Sequence, residues 1–315
     1  YTIAAGTSLT APAPIGVLAN DSTNAAPGQP VSVRFPSVTV RGGSVTMTSD
    51  EGSFVYTPAT GYLGIDTFEY ELSNGAGVSR TTVTIDVTVN GPGFFVDSRT
   101  GDEATGNFQS GAPFATIQAA VTAAGPSADI TVLPGSGTYA GQIELLDGQR
   151  LLGAQSLAVN AQGFLLPTLS GPIILADDNT VDSVRVDGTA GIAIDGDGQD
   201  SGVVTNCQVV DTVDGTGIQI RGVTGQWRIE NNLLENIGGI GLDMDPQNDG
   251  TAAIRANHNI ISECRNFGLG IAAFGQSELA VQANDNILYG NGRGLGPDEV
   301  DLGYLCGTTG TATLT

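Results

Sequence analysis

The chain has 315 residues, 46 of them glycine, with only 14% charged side chains and a net charge of −22 at pH 7; that is long enough for two domains and reads as turn-rich β structure. All eleven basic residues are arginine, which removes lysine chemistry altogether, isopeptide cross-links and Schiff bases included. Such acidity disfavours nucleic acid and anionic lipid as partners and favours divalent cations, and no apolar run reaches the length of a membrane span.

Residues 1–90 read as a separate β-sandwich. Apolar alternation runs through Val31–Val33, Val38–Val40, Phe54–Tyr56, Phe68–Leu72 and Val83–Val89. Turn signals stand between them at Pro27-Gly28, Gly42-Gly43, Asp50-Glu51-Gly52 and Asn74-Gly75. Such spacing predicts about seven short strands around a core supplied by Phe54, Tyr56, Phe68 and Tyr70. The motifs Gly16-Val17-Leu18-Ala19-Asn20-Asp21, Gly52-Ser53-Phe54-Val55-Tyr56-Thr57-Pro58 and Gly61-Tyr62-Leu63-Gly64-Ile65-Asp66-Thr67-Phe68-Glu69-Tyr70 resemble the bacterial cadherin-like, Ig-like repeats of large secreted and surface proteins. The resemblance covers the whole of 1–90 and implies a spacer module, sometimes holding Ca²⁺ through acidic loops. Here that reading falls on Asp21, Asp66 and Glu69, with an Asx-type turn at Asn20-Asp21 as the plainer alternative.

Asn90-Gly91-Pro92-Gly93 reads as a short, restricted linker, and residues 91–315 as the second domain. Its opening carries Phe94-Phe95-Val96-Asp97, a helix-patterned Pro113 to Ala124, Ile130 to Gly135, Gly137-Thr138-Tyr139 and Leu151-Leu152-Gly153. These resemble the entry segment of pectate-lyase-like right-handed β-helix proteins. Phe114, Ile117, Ala120, Val121 and Ala124 fall on one helical face behind Pro113, as expected of a helix capping the open end of a solenoid.

From Val181 to Leu302 one pattern recurs about every 25 residues. Apolar residues close an Asn-containing motif at Val209, Leu233, Ile260 and Ile287, in steps of 24, 27 and 27. A second series precedes it at Val203, Trp227, Ile254 and Val281, and a third follows at Ile218, Leu242 and Leu269, each after a glycine. Three short strands per repeat, each unable to bury its apolar face alone, predict a parallel β-helix. The whole is therefore expected to be all-β: an Ig/cadherin-like β-sandwich plus a right-handed parallel β-helix with an N-terminal capping helix. The last residues, Thr311, Ala312, Thr313, Leu314 and Thr315, alternate like another strand with no polar cap after them; either the natural chain continues, or this end is expected to serve assembly.

Asn206, Asn232, Asn259 and Asn286 sit near one corner of successive repeats, where a ladder of side-chain amides at a tight turn is expected. Counting from the third series places Ile194, Ile220, Met244 and Ile271 inward and stacks Asp195, Arg221 and Asp245 outside as an ordinary charge ladder. Asp195-Gly196-Asp197-Gly198-Gln199-Asp200 and Asp243-Met244-Asp245-Pro246-Gln247-Asn248-Asp249-Gly250 resemble fragments of calcium loops. Neither has the full spacing, so solvated turns compete with Ca²⁺ at Asp195, Asp197, Asp200, Asp243 and Asp245. Cys207, Cys264 and Cys306 allow one disulfide plus a thiol, or three thiols.

His258 is the sole histidine, so neither a His-pair metal site nor a Ser–His–Asp triad has its cast. The Lys or Arg base of pectate lyases, the Asp-Asp, Gly-His and Arg-x-Lys set of polygalacturonases and the Asp-Pro-His-Glu of alginate epimerases have no clear counterpart. The expectation is a non-catalytic secreted or cell-surface structural or adhesive protein, self-associating head to tail in a filament, sheath or surface layer. Glycans or cell-surface components are the possible outside partners, and a polysaccharide-active enzyme or glycan-binding module is the alternative.

Overall fold

The computed structural model describes residues 1–315 except 5–6, 22–31, 60–61, 63, 75–76, 89–92, 110, 135–136, 155–165, 246–250, 274–277, 295–301, 307–310 and 315; of 64, 88, 302–306 and 311–314 it describes the backbone alone. The expected strand residue Val31, the turns at Pro27-Gly28 and Gly75, the linker 90–92, Asp249 and Thr315 lie outside the described residues. The chain divides into two compact units, one over Tyr1–Gly91 with Ala154–Leu165 and the other over Pro92–Gly153 and Leu166–Thr315.

Among the described residues the first unit holds seven strands in two sheets. One sheet runs Thr2–Ala4, Val78–Thr88, Gly64–Ser73, Ser32–Arg34, and the other Leu9–Ala11, Phe54–Thr57, Ser44–Met47. Alternation sends Phe54, Tyr56, Phe68 and Tyr70 inward, where Phe54 and Phe68 meet edge to face at 5.5 Å. Val38–Val40 departs from the expected strand. It holds a single bridge, Val38 to Ser44, beside a turn in which Gly42 has φ 79°; Thr39 turns inward to bond Asp66 while Val38 and Val40 stay exposed.

The second unit is a β-solenoid with three faces, all strands parallel. Among the described residues the first face has nine strands, from Phe94–Val96 through Gly202–Thr205, Gly225–Glu230, Thr251–Asn257 and Glu278–Gln282 to Thr311–Leu314. The second has six, including Arg185–Asp187, Gln208–Thr212, Leu233–Ile237, Ile260–Ser262 and Ile287–Tyr289. The third has seven, including Ile194–Asp195, Ile218–Arg221, Leu242–Asp245 and Leu269–Ala273. One core runs through the coil. Val181, Val204, Ile229 and Ala256 stack from the first face, and Ile218, Leu242 and Leu269 from the third. Each fully buried Val, Leu or Ile contributes roughly 1.5–3 kcal/mol.

The register differs from the expected one at several rows. On the second face the inward column is Val186, Val209, Leu234 and Ile261, all buried, and then the half-buried Leu288. Leu233 is half-buried, and Ile260 and Ile287 are 37% and 56% exposed. These three follow Gln208 on the outside, since neighbours along a strand point to opposite faces. In the first series Trp227, Ile254 and Val281 stack beneath Gly202, and Val203 faces outward in the row of Arg228. The indole fills what Gly202 leaves open: a Cβ there would lie 2.5 Å from the Trp227 ring. Ile194 is inward but aligns with Ile218, two positions from the expected row.

The helix spans Ile117–Ala124 and packs on the strands Phe94–Val96, Asp129–Val132 and Ile143–Glu144 at the beginning of the coil. Thr116 caps it, its Oγ1 accepting from the Ala119 amide, and Ile117, Ala120 and Val121 are its buried face. Pro113 lies outside the helix, in the extended stretch where Phe114 bridges to Val96.

Candidate functional site

The repeated asparagines build one corner of the coil. Asn232 Oδ1 accepts from the Cys207 amide, Asn259 Oδ1 from the Asn232 amide, and Asn286 Oδ1 from the Asn259 amide, at 2.8–3.0 Å. Each Nδ2 donates inward to a carbonyl of the previous rung, at Val204, Ile229 and Ala256. Asn206 does not belong to this ladder; Cys207 holds its place. Asn206 stands in the adjacent row with Asn231, His258 and Asp285, all at φ 54–59°. That left-handed backbone suits Asn and Asp, whose short side chains bond locally. His258 is thus a corner residue, exposed, its Nε2 3.4 Å from Asp285.

The acidic positions of the third face form one layer. Asp195, Gln219 and Asp243 are in register, as are Arg221 and Asp245. The expected Asp195–Arg221–Asp245 column is therefore broken, because Asp195 aligns with Gln219. Arg221 reaches diagonally to Asp243 at 2.5 Å, and Asp243 and Asp245 are 4% and 5% exposed. Burial raises the pKa of Asp243 against the opposing pull of Arg221, and burial likewise raises that of Asp195. Asp197 accompanies Asp195, its amide donating to the Asp195 carboxylate. Asp200 lies at a different corner, where its amide donates to Asp177 and its carboxylate accepts from Thr224.

Arg221 occupies the charge centre of the solenoid acids, and among the described residues no group of three acids or histidines is placed to hold a metal ion. In the first unit Asp66 is fully buried and accepts from Thr39 Oγ1, Tyr56 Oη and the Arg41 and Thr67 amides. Asp21 takes the Tyr70 hydroxyl at 2.6 Å, and Glu69 is exposed on the opposite side of the strand from Asp66 and Tyr70. Asp21, Asp66 and Glu69 therefore do not converge. Sequence reasoning missed the Asp66 cage; the cue was an acid at an inward position of Asp66-Thr67-Phe68-Glu69-Tyr70.

Cys207 and Cys264 are buried at separate corners, and burial pushes the Cys207 thiol up to about 12. The strand Thr311–Leu314 pairs in parallel with Glu278–Val281 and is the last of its sheet.

Residues 1–91 match the family model of the bacterial cadherin-like domain, and residues 168–300 match that of the right handed beta helix region. No curated protein and no solved structure matches the chain. The chain thus carries a bacterial cadherin-like match followed by a right-handed β-helix match, a pairing that suggests an extracellular, adhesive or carbohydrate-related protein.

Proposed function

We propose that the protein is a non-catalytic structural or adhesive component of the cell surface, in which the cadherin-like unit is a spacer and the solenoid a stiff rod. Copies join head to tail into an extracellular assembly such as a filament, sheath or surface layer. The observation that supports this most is the unbroken in-register parallel stacking of nine strands on the first face, a sheet that extends by adding one more strand in the same register. The edge strand of such a sheet is a template for a further strand.

Sedimentation velocity and negative-stain electron microscopy of the full chain test the reading. Concentration-dependent, end-to-end oligomers are expected, weakened by proline at Ala312 and Thr313, which removes backbone donors from the edge. A strictly monomeric species at high concentration, with and without Ca²⁺, contradicts it.

A further inference from the structure

The first face carries two charged features that match in pitch and position. Arg228 and Arg255 are directly in register on adjacent strands, both exposed on the outside of the sheet. Like charges at one strand spacing, about 4.8 Å, oppose each other. Arg228 has only Glu230, at 3.7 Å and itself bonded by Asn257, and Arg255 has no ion pair among the described residues. The two side chains border a groove of about 430 Å³. Its lining includes Ala253 and Ala280, which are in register with each other, so this shallow floor runs along the coil axis. The second feature is a ridge at the corner that leads into the same face. Asp177 and Asp200 stand there on successive rungs, the Asp200 amide donating to the Asp177 carboxylate. Asp147 takes the same place one rung earlier. None of the three aspartates has an ion pair among the described residues.

Asp200 lies two residues before Gly202, which pairs with Trp227; the ridge therefore stands at the end of the face where Ala253 and Ala280 lie. The rungs of Asp177 and Asp200 directly precede those of Arg228 and Arg255. We propose that two copies of the chain pair side by side and antiparallel through this part of the first face. The two-fold axis runs along the strands, between the rungs of Asp200 and Arg228. That operation sets Arg228 of one copy opposite Asp200 of the other, and Arg255 opposite Asp177, twice over. Both features repeat at one strand spacing, so the four pairs meet in register. Guanidinium forks suit carboxylates, and the alanine floor leaves room for the projecting turns. Each patch meets the other in both directions, as a closed two-fold contact requires. The contact uses no residue of Thr311–Leu314, so it is lateral and separate from the end-to-end growth proposed above.

Sedimentation equilibrium on the full chain with proline at Ala312 and Thr313, which blocks end-to-end growth, reads the lateral contact alone. Each copy carries a net charge of −22, so the measurement belongs at about 0.15 M salt, where repulsion beyond about 8 Å is screened. A closed monomer–dimer equilibrium is expected. Arg228→Glu with Arg255→Glu leaves a monomer, and so does Asp177→Arg with Asp200→Arg. Mixed one to one, these two variants pair again, because each groove then meets a ridge of opposite charge. Arg228→Gln with Arg255→Gln, and Asp177→Asn with Asp200→Asn, keep hydrogen-bonding side chains and should melt as the parent does; each weakens the dimer about tenfold or more. These neutral variants decide the matter if a reversed one does not fold. A parent that stays monomeric, a dimer unchanged by the substitutions, or folded reversed variants that do not pair when mixed overturns the proposal. Loss on changing the arginines with none on changing the aspartates also overturns it, in favour of another acidic partner in the groove. A dimer without end-to-end oligomers of the unblocked chain sinks only the filament, and oligomers without the dimer sink only this contact.

Discussion

At the level of single residues, the corner of the coil separates two kinds of asparagine that look alike in sequence. Asn259 is fully buried, and its side chain makes four hydrogen bonds with three residues, Asn232, Ile229 and, in the next rung, Asn286. Asn259→Ala leaves several buried groups unpaired and should destabilise the solenoid by about 3 kcal/mol in chemical denaturation. Asn231, at φ 59° in the outer row, should tolerate glycine without loss, whereas valine there costs roughly 1–2 kcal/mol. Equal effects at the two positions would contradict this division. In the first unit Asp66→Ala strands four donors and should cost about 3 kcal/mol, while Glu69→Ala changes little.

The sign of the pH dependence follows from Asp243. Burial raises its pKa in the folded chain, so folding binds a proton there more tightly than the unfolded chain does. Its contribution to stability is complete below the ordinary carboxylate range and drains away as pH rises through the raised value. Denaturation across that range should show the parent losing stability with rising pH and Asp243→Asn losing less of it. Asp195, raised in the same direction, keeps part of the slope. A slope of opposite sign would show that the Arg221 pair outweighs the burial.

Among the elements, the repeat was legible in the sequence because Asn, Gly and apolar residues recur together, and the third-face series Ile218, Leu242, Leu269 reads correctly. The second-face column was misread by one residue. Leu233-Leu234, Ile260-Ile261 and Ile287-Leu288 are apolar pairs, so alternation alone does not say which member turns inward. Only the strand pairing, with steps of 25, 27 and 27 from Val209, resolves it. The offset of Ile194 has a similar origin, because Ile218 and Ile220 both turn inward and only the strand pairing says that Ile194 joins Ile218. Pro113 signalled a helix start, but Thr116 supplies the side-chain oxygen that caps one. The acid layer was not legible because its partners are diagonal and come from different rungs. Trp227, beneath Gly202, should be the most sensitive packing position, with Trp227→Ala costing roughly 3–5 kcal/mol. Native-state alkylation should spare Cys207 and Cys264, both buried, until denaturant opens the coil.

Across the whole molecule the two units are held by different means. The first depends on an aromatic cluster pinned by one buried carboxylate, and the second on repetition, each rung covering the apolar face of the last. Repetition of this kind makes stability a sum over neighbouring rungs. The proposed assembly depends on that in-register stack. Cysteines introduced together at Ile260 and Ile287, outward neighbours on paired strands, test it most directly. With the native cysteines replaced by serine, mild oxidation should close an intramolecular disulfide between them, since the strand spacing of about 4.8 Å lies within disulfide reach. Cysteines at Ile260 and Leu288 should not link, because they face opposite sides of the sheet. If the second pair links and the first does not, the stack proposed here is wrong.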